Sequence, residues 1–280
     1  MSKPLVIFHS NCADGFSSAW VFWRIFKDEY EYYPGTYQGV VPDVLGRDVY
    51  LVDFSYKRDI VKGMLLAANS VILIDHHKSA LEDLWDLEVD GLNISHSNLF
   101  HSSAVLAWKF LNGDKAIPRM LQHIQDRDLW RFELEGTREI STYLFTYEYD
   151  FKIWDKLLKS NRRDIDKMIS IGAMIDKKHF KDIHELLKST KRYIDVAGYT
   201  VPVASLPYTM SSDAGNIMSE KEPFAACYSD GPNGRIFSLR SNRFNPDAVD
   251  VSKIAEQFGG GGHFHASGFT VPRTHPLAMI

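Results

Sequence analysis

Along the first half of the chain, short apolar runs alternate with longer segments whose apolar positions recur at helical spacing. PLVIFH (4–9) is apolar almost throughout, as expected of a strand buried on both faces. SSAWVFWRIF (17–26), just after Asp14-Gly15, has the length and apolar density of a helix. EYEYYP (29–34) reads as an aromatic strand and DVYLVD (48–53) as another, with the amphipathic helix KRDIVKGMLLAAN (57–69) behind them. VILID (71–75) predicts the next strand. SSAVLAWKFL (102–111), PRMLQHIQ (118–125) and TREISTYLFTY (137–147) predict helices. Strands alternating with helices predict an α/β fold with a doubly wound, mostly parallel N-terminal sheet.

The pattern then changes. From Phe151 to Arg192 the chain is polar and helical, with Met168, Ile171 and Ile175 spaced for one buried face and no proline or glycine cluster. Its Lys and Arg residues outnumber the nearby acids and read as a solvated helix face. YIDVAGYTVPVASL (193–206), FAACYSD (224–230) and GRIFSLRS (234–241) predict strands, and Asp230-Gly231-Pro232-Asn233-Gly234 marks a hairpin turn. A last helix, VSKIAEQF (251–258), runs into a run of four glycines. The expected organisation is a domain over 1–155, a helical connector over 156–192 and a smaller α/β domain over 193–280.

Composition narrows the function classes. The chain has 280 residues, 45% hydrophobic and 24% charged, the profile of a globular protein with a sizeable core. Apolar runs fall far short of the roughly 20 residues that span a bilayer. The first residues, MSKPLVIFHS, read as a strand rather than a signal peptide, because no small-residue cleavage site follows. Two distant cysteines, Cys12 and Cys227, give no disulfide framework, and a cytoplasmic setting is expected. A net charge of −4 argues against coating long duplex DNA, so a nucleic-acid partner would be short or locally held.

Candidate chemistry gathers at strand ends. In an open parallel sheet, ligands sit beyond the carboxyl ends of the strands. His9 ends the first strand, Asp53 the third, and Asp75-His76-His77 the fourth, while Asp14 opens the first helix. Each has a plainer reading: His9 as a strand-end histidine, Asp53 as a helix N-cap. Three polar groups directly after a buried strand nevertheless need partners. Carboxylates with a few histidines suit Mn²⁺ or Mg²⁺. Two such ions about 3.5–4 Å apart clamp the attacking and leaving oxygens of a phosphoryl displacement.

These residues resemble the DHH phosphoesterases over nearly the whole chain. FHSNCADGFSSA (8–19) is similar to the family's first motif, Val52-Asp53 with Ser55 to its second, and Asp75-His76-His77 to its third. Asp126 in HIQDRDLW resembles the fourth, and FGGGGHFHASGF (258–269) the glycine-rich motif of a C-terminal DHHA1 domain. The resemblance implies a metal set of His9, Asp14, Asp53, His76 and Asp126, with Asp53 bridging two ions, normally Mn²⁺ with Mg²⁺ or Co²⁺ as substitutes. It implies that His77 contacts the scissile phosphate or the metal shell and that Asp75 orients an imidazole. Asp128 would be a further supporting group or an exposed helix-end acid. Arg240, Gly260, Gly261, Gly262 and His263 would bind substrate, the glycines through converging backbone amides.

One position departs from the pattern: Cys12 stands where many members carry an aspartate. Sulfur replaces a carboxylate poorly on Mn²⁺. Cys12 therefore reads as a packing residue or a ligand, leaving one ion site weaker or completed by His9 and a water. The implied activity is a metal-dependent phosphodiesterase, exonuclease-like, using a metal-activated water on short RNA or single-stranded DNA. The alternatives are a phosphatase of a nucleoside bisphosphate, cyclic dinucleotide or polyphosphate, and a non-catalytic phosphate or nucleotide binder.

Overall fold

The structure, a computed structural model, describes residues 2–37, 39–87 and 89–279. It comprises two compact units that divide at Asp176/Lys177.

Five parallel strands form the sheet of the first unit: β1 (Leu5–His9), β2 (Glu31–Gly35), β3 (Asp48–Val52), β4 (Ser70–Ile74) and β5 (Leu92–Asn93). Their order is β2-β1-β3-β4-β5, with every pairing parallel. Alternation along β1 explains why both sheet faces need cover. Val6 and Phe8 join one core with Phe16, Ala19 and Trp20 of α1 (Ala13–Phe26) and with Ala104, Val105 and Trp108 of α4 (Ser103–Asn112). Leu5 and Ile7 join the opposite core, with Val61 and Met64 of α2 (Arg58–Leu65) and Leu84 of α3 (Lys78–Leu84). Helices cover both faces, so the sheet is doubly wound, as its near-continuous apolar strands predict.

Past the sheet the unit continues helically through α5 (Arg119–Asp128), α6 (Thr137–Leu144), α7 (Phe151–Leu158) and the first part of α8 (Arg162–Thr190), whose residues from Lys177 on belong to the second unit. The buried face of α8 differs from the expected one. Ile165 and Met168 are buried, but Ile171 is 38% exposed. The buried register passes through Gly172 instead, because a β-carbon there would strike the backbone carbonyl of Glu139 in α6. Close approach of two helix backbones takes the place of an apolar side chain. The basic residues lie outward in i,i+4 pairs such as Lys178–Asp182 and Lys181–Glu185.

A six-stranded mixed sheet organises the second unit, from β6 (Arg192–Val196), β7 (Tyr199–Ser205), β8 (Ala225–Gly231), β9 (Gly234–Arg240), β10 (Gly261–His263) and β11 (Ala266–Val271). The order is β10-β11-β9-β8-β7-β6, and only β7/β8 pair parallel. The segment 193–206 is two strands, not one, because Ala197 and Gly198 take φ of 51° and 84° in a two-residue hairpin turn. The 230–234 turn joins β8 to β9 antiparallel. Flanking helices are α9 (Ser211–Met218) and α10 (Val251–Glu256). Among the described residues, no helix is long and apolar enough to cross a membrane.

Gly172→Ala should lower unfolding free energy by about 1–3 kcal/mol through overpacking of α8 on α6. Met174→Ala, at a site 70% exposed, should stay within about 0.5 kcal/mol. Urea unfolding of both variants checks the difference.

Candidate metal centre

The order of the first sheet places its topological switch between β1 and β3, and in open sheets of this kind ligands bind beyond the strand ends at that point. His9 closes β1, Asp53 follows β3, and Asp75, His76 and His77 follow β4.

Asp53 stands at the centre, 1% exposed, and its two oxygens face different neighbours. Oδ1 lies 3.2 Å from His76 Nε2 and 3.8 Å from His77 Nδ1. Oδ2 lies 3.5 Å from His9 Nδ1 and accepts the Cys12 thiol at 3.2 Å. The backbone here is held in the left-handed region, with φ of 56° at Asp53 and 53° at Asn11. Such conformations cost of order 1–3 kcal/mol and persist where the surroundings over-determine them. At Asp53 the amide donates to Ile74 O (3.1 Å), tying the turn to the end of β4.

His76 is buried among acids: its Nε2 lies 3.2 Å from Asp128 Oδ2 and 3.9 Å from Asp14 Oδ2. Asp14 is fixed by the N-terminus of α4, accepting from Ser103 N at 2.7 Å and Ala104 N at 3.1 Å. Asp75 is an orienting group. Its Oδ1 accepts from the amides of His76 (2.7 Å) and His77 (3.2 Å) and lies 2.8 Å from His77 Nδ1, setting the direction and tautomer of that ring.

Electrostatics follow from the crowding. Burial opposes a charged His76, yet Asp128, Asp53 and Asp14 raise its pKa to about 10. Burial likewise opposes an ionised Asp53, but His76, His9 and His77 hold it well below the usual carboxylate range. Burial and the adjacent Asp128 and Asp53 carboxylates push Asp14 up. Burial, then Asp53, Asp128 and Asp14, keep Cys12 a thiol, consistent with its donating to Asp53. Burial opposes charge on His77, and Asp75 raises its pKa.

Asp126 is placed differently from the expected metal ligand. Its carboxylate accepts from Glu133 N (2.9 Å) and Leu134 N (3.0 Å), and its carbonyl from Arg131 N (2.8 Å). It braces the 129–134 loop, in which Trp130 and Phe132 take φ of 54° and 53°. Residues two apart on a helix do not share a face, so Asp128, not Asp126, reaches His76. Tyr37, which nothing in the local pattern singles out, is 52% exposed and packs edge-on to His9 and His77 at centroid distances of 5.2 and 6.3 Å.

In the second unit, Arg240 closes β9. Its guanidinium donates to Ser238 Oγ (3.1 Å), Leu239 O (2.7 Å) and Ser212 Oγ (2.8 Å). Gly215 makes room for it, since a β-carbon there would lie 2.8 Å from Arg240 Cγ. The glycine run is ordered in strand pairing rather than as a loop. Gly261, Gly262 and His263 face Gly268, Ser267 and Ala266, and the Gly260 amide donates to Ala255 O at the end of α10 (2.9 Å). Close approach explains the glycines, since a β-carbon on Gly260 or Gly262 would strike the backbone of β11.

The donor set fits a divalent-cation centre. Asp53 Oδ1, Asp128 Oδ2 and His9 Nδ1 are buried and lack a hydrogen bond of ordinary geometry. Donor atoms converge within 4.8 Å in the sets His9–Cys12–Asp53 and Asp14–Asp53–His76. Carboxylates and imidazoles at such spacing are hard-to-borderline ligands.

Fold and site together define a doubly wound α/β protein with a carboxylate–imidazole centre at its switch point. An uncharacterized protein of Acanthamoeba polyphaga mimivirus is 31% identical over 287 residues, covering 94% of this chain and 66% of that protein. Oligoribonuclease NrnB of Bacillus subtilis is 25% identical over 222 residues, covering 73% of this chain and 54% of that one. The chain thus spans about two thirds and about half of these relatives. CDC45 from Entamoeba histolytica aligns in structure with a TM-score of 0.51 at 9% identity, covering 98% of this chain and 93% of that one, and shares the fold. No protein-family profile matches the chain. Asp75-His76-His77 follow β4, and together with the likeness to Oligoribonuclease NrnB they support a phosphoesterase of the DHH type.

Asp128→Asn should weaken Mn²⁺ binding roughly 10–100-fold, whereas Asp126→Asn should leave it within about threefold and lower stability instead. Isothermal calorimetry and thermal unfolding separate the two. In the same titrations affinity should rise with pH, because His76 must lose a proton that its acidic neighbours retain up to about pH 10.

Proposed function

We propose that the protein is a divalent-cation-dependent phosphodiesterase acting on short single-stranded oligonucleotides, with Mn²⁺ as the expected ion. The observation that carries this reading is the division of Asp53 between two sets of donors, Oδ1 toward His76 and Oδ2 toward His9 and Cys12. A carboxylate so placed suits bridging two cations. Asp14, His76 and Asp128 would hold one and His9 the other. Bound cations would supply an acidified water and positive charge against the phosphoryl oxygens.

The chain's own residues do the remainder. Asp75 orients His77 and sustains its charge, so His77 donates to a non-bridging phosphoryl oxygen. Asp14 and Asp53 keep His76 directed into the centre. Tyr37 offers a half-exposed ring against which a terminal base can stack, worth about 1–3 kcal/mol. We assign the first unit to catalysis and the second, as a DHHA1 domain, to substrate binding. There Arg240 presents a fork suited to a phosphate, Gly260 allows close backbone approach, and Gly261, Gly262 and His263 supply backbone and imidazole donors. Both cysteines are free, and a reducing cytoplasm is the proposed setting.

The activity named for Oligoribonuclease NrnB supports short RNA as the substrate. The test is hydrolysis of a 5′-labelled RNA dinucleotide with Mn²⁺, beside a ten-mer, a nucleoside bisphosphate, a cyclic dinucleotide and polyphosphate. Cleavage of the short RNAs that falls at least about 10³-fold in His76→Ala is expected. Turnover of the bisphosphate, cyclic dinucleotide or polyphosphate alone would move the function to a small-phosphate phosphatase. No turnover with Mn²⁺, Mg²⁺ or Co²⁺ would leave a phosphate binder.

A further inference from the structure

We propose that the two cation subsites on Asp53 differ in chemical softness, and that the subsite of His9, Cys12 and Asp53 Oδ2 selects a thiophilic divalent cation of the Zn²⁺ type. The inference rests on the cation centre proposed above but goes beyond it, since it assigns the two ions different identities.

Three observations carry it. First, an imidazole nitrogen, a thiol sulfur and a carboxylate oxygen come from three separate segments, the end of β1, the start of α1 and the turn after β3. Their donor atoms lie within 4.8 Å of one another. Second, Cys12 does not fill a hydrophobic gap. Its Sγ points at Asp53 Oδ2 at 3.2 Å, and His9 Nδ1 approaches the same oxygen at 3.5 Å, buried and without a hydrogen bond of ordinary geometry. Third, the opposite side of Asp53 is built from Asp14, Asp128 and His76, with no sulfur. One side is therefore rich in oxygen and the other offers one donor each of N, S and O.

Ligand chemistry makes the division selective. Oxygen donors suit Mn²⁺ and Mg²⁺, whereas thiolate and imidazole suit Zn²⁺ and its neighbours in the first row. A neutral thiol is a weak donor, so a hard ion at this subsite would meet only His9 and one oxygen. A thiophilic ion instead exchanges with the S–H proton. One sulfur–cation bond forms, one proton passes to solvent, and no oxidant or reductant is needed.

Co²⁺ is the probe, because thiolate ligation gives it an intense near-ultraviolet charge-transfer band that oxygen and nitrogen ligands do not. Full-length protein stripped with a chelator is titrated with Co²⁺ and followed by absorption and calorimetry. The expected result is a band that saturates at one equivalent, is extinguished by Zn²⁺ and survives a tenfold excess of Mn²⁺. The band should vanish in Cys12→Ser and persist in Cys227→Ala, with Zn²⁺ affinity falling roughly 10–100-fold in Cys12→Ser. Cys12→Asp, an independent variant, should lack the band and take up two tight equivalents of Mn²⁺ where the parent takes one. Circular dichroism verifies folding of each. Calorimetric Co²⁺ binding with no charge-transfer band, or a band retained in Cys12→Ser, would overturn the inference. A band of the expected behaviour in protein that hydrolyses no phosphoester would overturn the proposed function and leave this cation site standing. RNA hydrolysis with Mn²⁺ in protein that shows no band would do the reverse.

Discussion

The structure of the first unit turns on one buried carboxylate. Asp53 sits in the turn after β3 with almost no solvent contact, and an isolated ionised carboxylate there would be strongly disfavoured. It is sustained because three imidazoles and a thiol converge on it, His76 and His77 at one oxygen and His9 and Cys12 at the other. Those partners come from β1, β4 and the start of α1. The strand order β2-β1-β3-β4-β5 is what places them side by side. Two hydrophobic cores, one on each face of the sheet, hold that order.

Around Asp53 the remaining groups act through one another. Asp14 is pinned by two amides of α4, so the helix covering one face also fixes an acid of the centre. Asp126 spends its carboxylate on the 129–134 loop, and Asp128 extends from the last turn of α5 toward His76. Asp75 aims His77, and one of its oxygens lies within 4.8 Å of an Asp53 oxygen. Asp14, Asp53 and Asp128 crowd around the His76 imidazole. That gathering of oxygen donors is the physical case for cations, and the same acids raise the pKa of His76 against its burial.

Much of this was legible in the sequence because strand ends announce themselves. PLVIFH, DVYLVD and VILIDHH stop at His9, Asp53 and Asp75, and a parallel sheet brings such ends to one rim. Helices speak less clearly. DRD at 126–128 presents two acids with no local signal of which faces inward; the answer lies in the loop that Asp126 braces. Ile171 has the spacing of a buried residue, yet Gly172 sets the contact because backbone approach leaves no apolar signature. Tyr37 lies in the turn after β2 and meets His9 and His77 only through the fold. The glycine run likewise looks like a loop until its pairing with β11 is seen.

The most direct measurement of the central claim is anomalous diffraction from crystals grown with Mn²⁺ and Zn²⁺ together. Two peaks should flank Asp53, about 3.5–4 Å apart, one within bonding distance of each carboxylate oxygen. A single peak, or two peaks that leave either oxygen of Asp53 without an ion, would contradict the account.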